Sequence, residues 1–274
     1  MLTLSVCNKR AFEESRNSIN SPNYVLNKNP TEDQMVCEGQ VFNRKNALGK
    51  RMPKRVLVFA AHPDDDLIGC GGSLAKHAKL GNRVSICYLT SGEAGSLEHS
   101  KKELAKIREG EAKKAARVIG FTDVIFLRNR DGYLEYNEPI LRQLVDLIRE
   151  KQPHIVYVHH HLDAHEDHKV TSRLVNEAIG RASVPIFQEY KGQPWSVKTV
   201  LAYEVWTPLA EFNYVEDISE FVSIKIAALK KHQSQIKIVR YDEAVEGLAM
   251  YRGAMTGKGK HCEVFAVNRV TDLF

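Results

Sequence analysis

From residue 54 onward, short apolar runs alternate with segments whose apolar residues recur every three to four positions. Residues 56–61 (Val-Leu-Val-Phe-Ala-Ala) are continuously apolar and predict a buried strand. Residues 73–80 predict a helix, with Ser73 as its cap and Gly81 as its stop. A second strand is expected over 84–90, then a loop over 91–96 and a long helix over 101–119 closed by Gly120. Residues 124–127 predict a third strand, and Asp131-Gly132 a turn. Over 139–150, Ile140, Leu144, Leu147 and Ile148 share one helical face. A fourth strand over 154–159 and a helix over 169–179 complete the regular part. Beyond Gly192 the pattern weakens to a strand over 199–206, a helix over 221–236 and a last strand over 262–267.

Strands alternating with helices of this length predict right-handed βαβ units. The expected class is α/β, a Rossmann-like three-layer fold with a mostly parallel central sheet and helices on both faces. In such sheets ligands sit past the carboxyl ends of the strands, near the point where strand order reverses. Residues 1–50 are different: they are rich in Asn, Ser, Lys and Glu, and 17–34 show neither helical nor strand period. They are expected to be a polar N-terminal extension, partly ordered at best, before one domain over 51–274.

Composition narrows the function classes. The chain of 274 residues is 43% hydrophobic and 27% charged, ordinary values for a globular protein. Its net charge of +5 is scattered among acids, without the basic stripe of a nucleic-acid binder. No apolar run approaches the roughly 20 residues of a membrane helix, so no integral membrane segment is expected. The five cysteines are widely spaced and lack a C-x-x-C pair. They argue against a disulfide framework or a cysteine zinc knuckle and suit a cytoplasmic protein.

The apolar run 56–61 ends in His62-Pro63-Asp64-Asp65-Asp66. Neighbouring carboxylates at the edge of a core repel one another and lose hydration, and a cation is the simplest way to keep them ionised. A second cluster, residues 159–168, packs five histidines and three acids into ten positions at the end of the fourth predicted strand. Parallel strands bring their carboxyl ends together, so the two clusters are expected to meet. Two histidines and one carboxylate with open positions are the usual protein ligands of a catalytic metal. His62 and Asp65, three apart across a turn, converge on one ion and leave Asp64 free. His168, opening the next helix, is the best third ligand.

Ala61-His62-Pro63-Asp64-Asp65-Asp66 resembles the Ala-His-Pro-Asp-Asp-Glu signature of the LmbE-like, or PIG-L, family of zinc-dependent N-acetylglucosaminyl deacetylases. Asp163-Ala164-His165-Glu166-Asp167-His168 resembles that family's Asp-x-His-Pro-Asp-His motif. Residues 107–112, Asp131-Gly132 and His232-Gln233-Ser234-Gln235 fit as well, so the resemblance runs from about residue 54 to 235. It implies one Zn2+ per chain, with other divalent ions open, on His62, Asp65 and His168. It implies Asp64 as general base, His165 oriented by Asp167 as the electrostatic or acid partner, and Arg108 beside the substrate. The implied reaction is attack of a metal-activated water on the N-acetyl group of an N-acetylglucosamine-type sugar or its conjugate. The substrate is thus a small amino sugar, and a homo-oligomer is left open. Two positions depart from the pattern: Asp66 stands for Glu, and Glu166 for Pro.

Three other functions compete. The same centre could serve an amidase of another sugar or thiol conjugate. It could hold iron(II) for oxygen chemistry, in which Asp64 would have no task. A non-catalytic sugar binder is the third, against which the intact Asp64 and His165 argue. Gly69-Cys70-Gly71-Gly72 is not a G-x-G-x-x-G dinucleotide loop and is expected to allow close packing near the site. Lys101, Lys102, Lys106, Lys113 and Lys114 predict a solvated helix face, and His77 and His99 surface positions. One of His159, His160 and His161 is expected to line the pocket without ligating. Trp195 and Trp206 could stack on a sugar, but packing in the interior is the expected reading.

Overall fold

The computed structural model describes residues 34–37, 40–43 and 52–271. The chain forms two compact units, Met1–Met52 and Pro53–Phe274. In the first, β1 (Gln34–Cys37) and β2 (Gln40–Asn43) pair antiparallel, with Met35 opposite Phe42. This hairpin was not expected from the sequence; the rest of residues 1–50, expected as a polar extension, lies outside the described residues.

The second unit alternates strands and helices. In chain order these are β3 (Arg55–Ala60), α1 (Asp65–Lys79), β4 (Arg83–Thr90), α2 (Lys101–Ile119), β5 (Asp123–Asn129), α3 (Glu138–Lys151), β6 (Ile155–His159) and α4 (Glu166–Ala182). They continue with β7 (Thr199–Tyr203), β8 (Tyr214–Asp217), α5 (Val222–Leu229), α6 (Gln233–Ile236), α7 (Tyr241–Thr256) and β9 (Cys262–Val270). Seven strands form one sheet in the order β5-β4-β3-β6-β7-β9-β8. The first five are parallel, and β9 pairs antiparallel with both β7 and β8. The α/β class and the mostly parallel sheet are as expected.

Alternation along β3 divides the core. Val56, Val58 and Ala60 face one layer with Leu67, Leu74, Ala112 and Ala115, while Leu57 and Phe59 face the other with Leu144, Ile148, Leu174 and Ala178. Burying one such Leu contributes about 1.5–3 kcal/mol, so a strand buried on both faces anchors the whole unit. The chain builds β4 and β5 outward from one side of β3, then places β6 on the other side. This is a switch point, and the loops after β3 and β6 flank its crevice.

The differences from expectation are local. The helix predicted over 73–80 is the second half of α1, which kinks at Cys70 (φ −143°). Ser73 is not its cap: Glu263 of β9 accepts the Gly72 and Ser73 amides at 2.8 Å each, a carboxylate supplied from a remote strand. A Cβ on Gly69 would lie 2.2 Å from the Tyr203 ring, so this position must be glycine for α1 to lie against the end of β7. The helix expected over 221–236 breaks into α5 and α6. The strands β1, β2 and β8 are four residues each, and α7 buries only Val245, Ala249, Arg252 and Gly253, too narrow a stripe to show in periodicity. The α2 lysines are exposed as expected, and its start is a capping box between Ser100 and Glu103. His77 is half-buried rather than on the surface, with Nε2 3.0 Å from the Tyr157 hydroxyl.

Candidate metal centre and active site

The carboxyl ends of β3 and β6 carry the two predicted clusters, and the fold brings them together. After Ala60 the chain turns sharply into α1, and Asp64 caps that helix at φ 131°. A non-glycine residue there is strained by about 1–3 kcal/mol, and such strain collects at functional sites. The turn is held from several sides. Thr90 donates to the Ala61 carbonyl, and the Asp65 carboxylate accepts the His62 amide at 2.7 Å.

His62 Nδ1, His168 Nε2 and the Asp65 carboxylate form a triangle. The nitrogens are 3.2 Å apart, and the carboxylate oxygens lie 3.3 Å from His62 and 3.4 Å from His168. Each ring has its other nitrogen committed. His62 Nε2 lies 3.0 Å from Asp131 and 3.3 Å from Asp167, and His168 Nδ1 lies 3.0 Å from Asp163. The N–H groups point outward at carboxylates, so the facing nitrogens both bring lone pairs. Two lone pairs and a carboxylate at this spacing repel unless positive charge sits among them. Ligands about 2.0–2.1 Å from a tetrahedral ion stand about 3.3 Å apart, so the triangle fits a divalent metal.

Two neighbouring combinations also bring donor atoms within 4.8 Å of one another: His62, His165 and His168, and Asp65, His159 and His168. A third, His62 with Asp131 and Asp167, is the outer support just described. His159 Nε2 accepts the Ala61 amide at 3.1 Å, so its lone pair is engaged. It stacks on His168 with centroids 4.0 Å apart and is fully buried, so it supports the site from below and does not line the cavity. His160 is buried with Nε2 on the Thr207 carbonyl, and His161 is exposed.

Titration follows the same need for positive charge. Burial disfavours the charged forms of His62 and His168, but the Asp65 carboxylate and the outer acids outweigh it, raising His62 and bringing His168 to about 9. Asp65 is held low against the effect of burial by His168, His159 and His62. Burial raises Asp64, Arg108 opposes this and the Asp65 charge adds to it, leaving it at about 7. Asp66 is also raised to about 7 by burial, but it lies away from the cavity and accepts from the Tyr88 hydroxyl at 2.8 Å. The departure from the family pattern at Asp66 is therefore a core contact. Glu166 opens α4 at the first helical position, where proline is favoured and a negative charge complements the helix dipole.

A cavity of about 320 Å³ opens over the triangle, with Asp64, Arg108, Asp131 and His165 among its lining. Arg108, expected beside the substrate, lies in the cavity wall; the residue is 3% exposed and its guanidinium is bound to the protein. It lies 3.2 Å from Asp64 and donates to the Pro63 and Gly92 carbonyls at 2.7 and 2.9 Å. A Cβ on Gly92, whose φ is +67°, would sit 2.3 Å from this guanidinium. Asp167 was expected to orient His165, and the two are in contact. The contact runs from the Asp167 backbone N–H to His165 Nδ1 at 3.2 Å, and the Asp167 carboxylate accepts the Gly132 and Leu134 amides.

Sequence reasoning assigned no role to Asp131 or Asp163, although both lie in stretches that fit the family. Their position beside His62 and His168 depends on loops meeting in space. Trp206 was expected in the interior; it is 49% exposed and lines the cavity.

Residues 57–179 match the family model described as PIG-L, GlcNAc-PI de-N-acetylase. The chain is 32% identical over 216 residues to a diacetylchitobiose deacetylase from Thermococcus kodakarensis, covering 74% of this chain and 79% of that protein. It is 28% identical over 244 residues to a 1D-myo-inositol 2-acetamido-2-deoxy-alpha-D-glucopyranoside deacetylase from Thermomonospora curvata, covering 68% and 82%. Among solved structures, N,N'-diacetylchitobiose deacetylase from Pyrococcus horikoshii superimposes with a TM-score of 0.72 at 27% identity, covering 79% of this chain and 84% of that one. Motif, fold and relatives agree, and the chain belongs to the PIG-L (LmbE-like) family.

Proposed function

We propose that this protein is a metal-dependent hydrolase that removes the N-acetyl group from an N-acetylglucosamine-type sugar or its conjugate. One observation carries the reading: donor atoms of three side chains approach one another at 3.2–3.4 Å under an open cavity, with the Asp64 carboxylate in the same wall. The two sequence relatives named above, each a deacetylase of an acetamido sugar, supply the substrate class. We assign His62, Asp65 and His168 as ligands and zinc as the ion, since nitrogen and carboxylate donors at tetrahedral spacing suit it. A zinc ion supplies Lewis acidity there, acidifying a water and polarising an acyl oxygen.

The remaining work belongs to the side chains. Asp64 takes a proton from the attacking water, and a carboxyl raised toward neutrality suits that task. Arg108 holds Asp64 against the turn and acts as a positioning residue. Asp131 and Asp163 fix the tautomers that aim His62 Nδ1 and His168 Nε2 inward. His165, with Nδ1 accepting the Asp167 amide, keeps Nε2–H as a hydrogen-bond donor to the developing oxyanion, and the proton taken up by Asp64 passes to the departing amine. Asp167 carries the 132–134 loop and the back of His62. No helix among the described residues is long and apolar enough to cross a membrane. The free, buried thiols of Cys70, Cys87 and Cys262 support a cytoplasmic location.

Acetate release from N-acetylglucosamine derivatives, with metal analysis of the same sample, tests the proposal. Asp64→Asn should retain the ion and lose about 10²–10⁴-fold in kcat. Full turnover in that variant would remove Asp64 from the mechanism, and absence of acetate from the whole panel would remove the reaction.

A further inference from the structure

The cavity above the ligand triangle is polar at depth and apolar at its mouth. Asp65 and Asp64 are 2% and 5% exposed, whereas Trp206 and Ile238 are 49% and 56% exposed. Tyr241 and Val239 complete the outer wall, and Tyr241 meets the Trp206 ring edge-on with centroids 5.9 Å apart. Half-exposed tryptophan braced by a second aromatic ring is a platform for the apolar face of a ligand. Its backbone is fixed: the Trp206 amide donates to Asp163 Oδ2 at 3.0 Å, while Asp163 Oδ1 holds the ligand His168 at 3.0 Å. One carboxylate therefore sets the distance between the platform and the reacting centre.

Size and charge say what the platform takes. A cavity of about 320 Å³ is near the lower end of the roughly 300–1,000 Å³ usual for ligand sites. It accommodates one acylated sugar over the metal site and directs whatever that sugar is attached to out across the mouth. Arg108 is the one Lys or Arg among the described residues lining the cavity, and it is committed to Asp64 and two carbonyls. The nearby Arg130 lies over the Tyr133 ring at 3.8 Å, and Arg240 pairs with Glu243 at 3.3 Å. An anionic group at this apolar mouth would find no uncommitted Lys or Arg in the lining to pair with.

We propose that Trp206, braced by Tyr241, determines specificity by stacking on the group attached to the acetylated sugar, and that this group is a neutral pyranose rather than one bearing carboxylate or phosphate. The proposal rests on the deacetylase reading above, and its test separates the two. Acetate release is measured for N-acetylglucosamine, its β-1,4-linked disaccharide and N-acetylglucosamine 1-phosphate. The wild type should favour the disaccharide. Trp206→Ala should lose about tenfold more kcat/KM on the disaccharide than on the monosaccharide, the scale of one stacking contact, and Trp206→Phe should restore most of that difference. Equal losses on both substrates, or a wild-type preference for the 1-phosphate, overturn the proposal.

The chain has two tryptophans, so Trp195→Phe leaves Trp206 as the sole indole fluorophore. In an Asp64→Asn background, its emission should shift saturably with the disaccharide and not with the 1-phosphate. Unmoved emission overturns the platform even where acetate is released. A saturable shift without acetate release from any substrate in the active enzyme sustains the platform and overturns the deacetylase reading.

Discussion

Asp163→Asn is a severe test of how this site works, because it changes a charge and almost no volume. Asp163 is fully buried; Oδ1 accepts from His168 Nδ1 and the His165 amide, each at 3.0 Å, and Oδ2 accepts the Trp206 and Thr207 amides at 3.0 and 3.2 Å. The asparagine oxygen satisfies the two amides of the 206–207 loop, which leaves its NH2 facing His168. The imidazole then accepts at Nδ1 and carries its proton on Nε2, the nitrogen aimed at His62 and Asp65. A ring in that tautomer has no lone pair for an ion. The metal-competent tautomer of the variant lacks the Nδ1–H bond to a charged acceptor that the wild type makes, about 1.5–3 kcal/mol, or about 10–150-fold in metal affinity. The His165 amide left facing an NH2 costs a further ~1–3 kcal/mol of stability. That lowers Tm by about 2–4 °C per kcal/mol in a unit of this size. Metal affinity is read by titration against a competing chelator on folded protein, with Tm measured on the apoprotein. Unchanged metal affinity in a folded variant would refute the tautomer argument, whatever happened to Tm.

The same carboxylate makes a pH prediction. Burial alone would raise Asp163, but hydrogen bonds from His168 and the His165 amide, with the His168 charge, hold it well below the usual 3.8. A depressed folded pKa contributes stability above the unfolded value of about 3.9 and loses it as pH falls through the folded value. The stability gap between wild type and Asp163→Asn should therefore be constant near neutrality and narrow below about pH 4; a gap that widened there would contradict the sign. Glu263→Gln should lose about 3–5 kcal/mol in chemical denaturation, because it removes the counter-charge 2.6 Å from buried Lys225 and one acceptor for the Gly72 and Ser73 amides just past the kink in α1. A loss under 1 kcal/mol would show that water reaches Lys225. Gly92→Ala should destabilise by about 1–3 kcal/mol more than Gly257→Ala, and should reduce kcat as well. Both positions have positive φ (+67° and +62°), but only the Gly92 methyl would strike Arg108. Equal effects would mean that the guanidinium yields freely.

Much of the site was legible because its residues are adjacent in sequence. His62, Asp64 and Asp65 lie within one turn, and His165 and His168 within another, so chain geometry alone limits where they point. The alternating strand and helix pattern then placed both turns at the same end of the sheet. The residues that escaped notice are those whose partners are remote. Glu263 caps a helix 190 positions earlier, and Trp206 owes its exposure to the loop that Asp163 holds. Arg108 lay in a matching motif, yet its direction was settled by Gly92 and Asp64, 16 and 44 positions away. The hairpin β1–β2, β8 and α7 escaped for a different reason: short strands and a narrow buried stripe leave no period to detect.

The sequence by itself determined the sheet class and the pair of His- and Asp-bearing turns that meet at one end of the sheet, since these follow from hydrophobic period and from spacing within a turn. The tertiary structure alone decided which nitrogen of each histidine faces the centre, which acids stand behind them, and that Trp206 opens onto the cavity. The physical reason is that tautomer, burial and hydrogen-bond partnership belong to pairs of groups far apart along the chain. They acquire values only when folding brings those pairs within about 3 Å of each other.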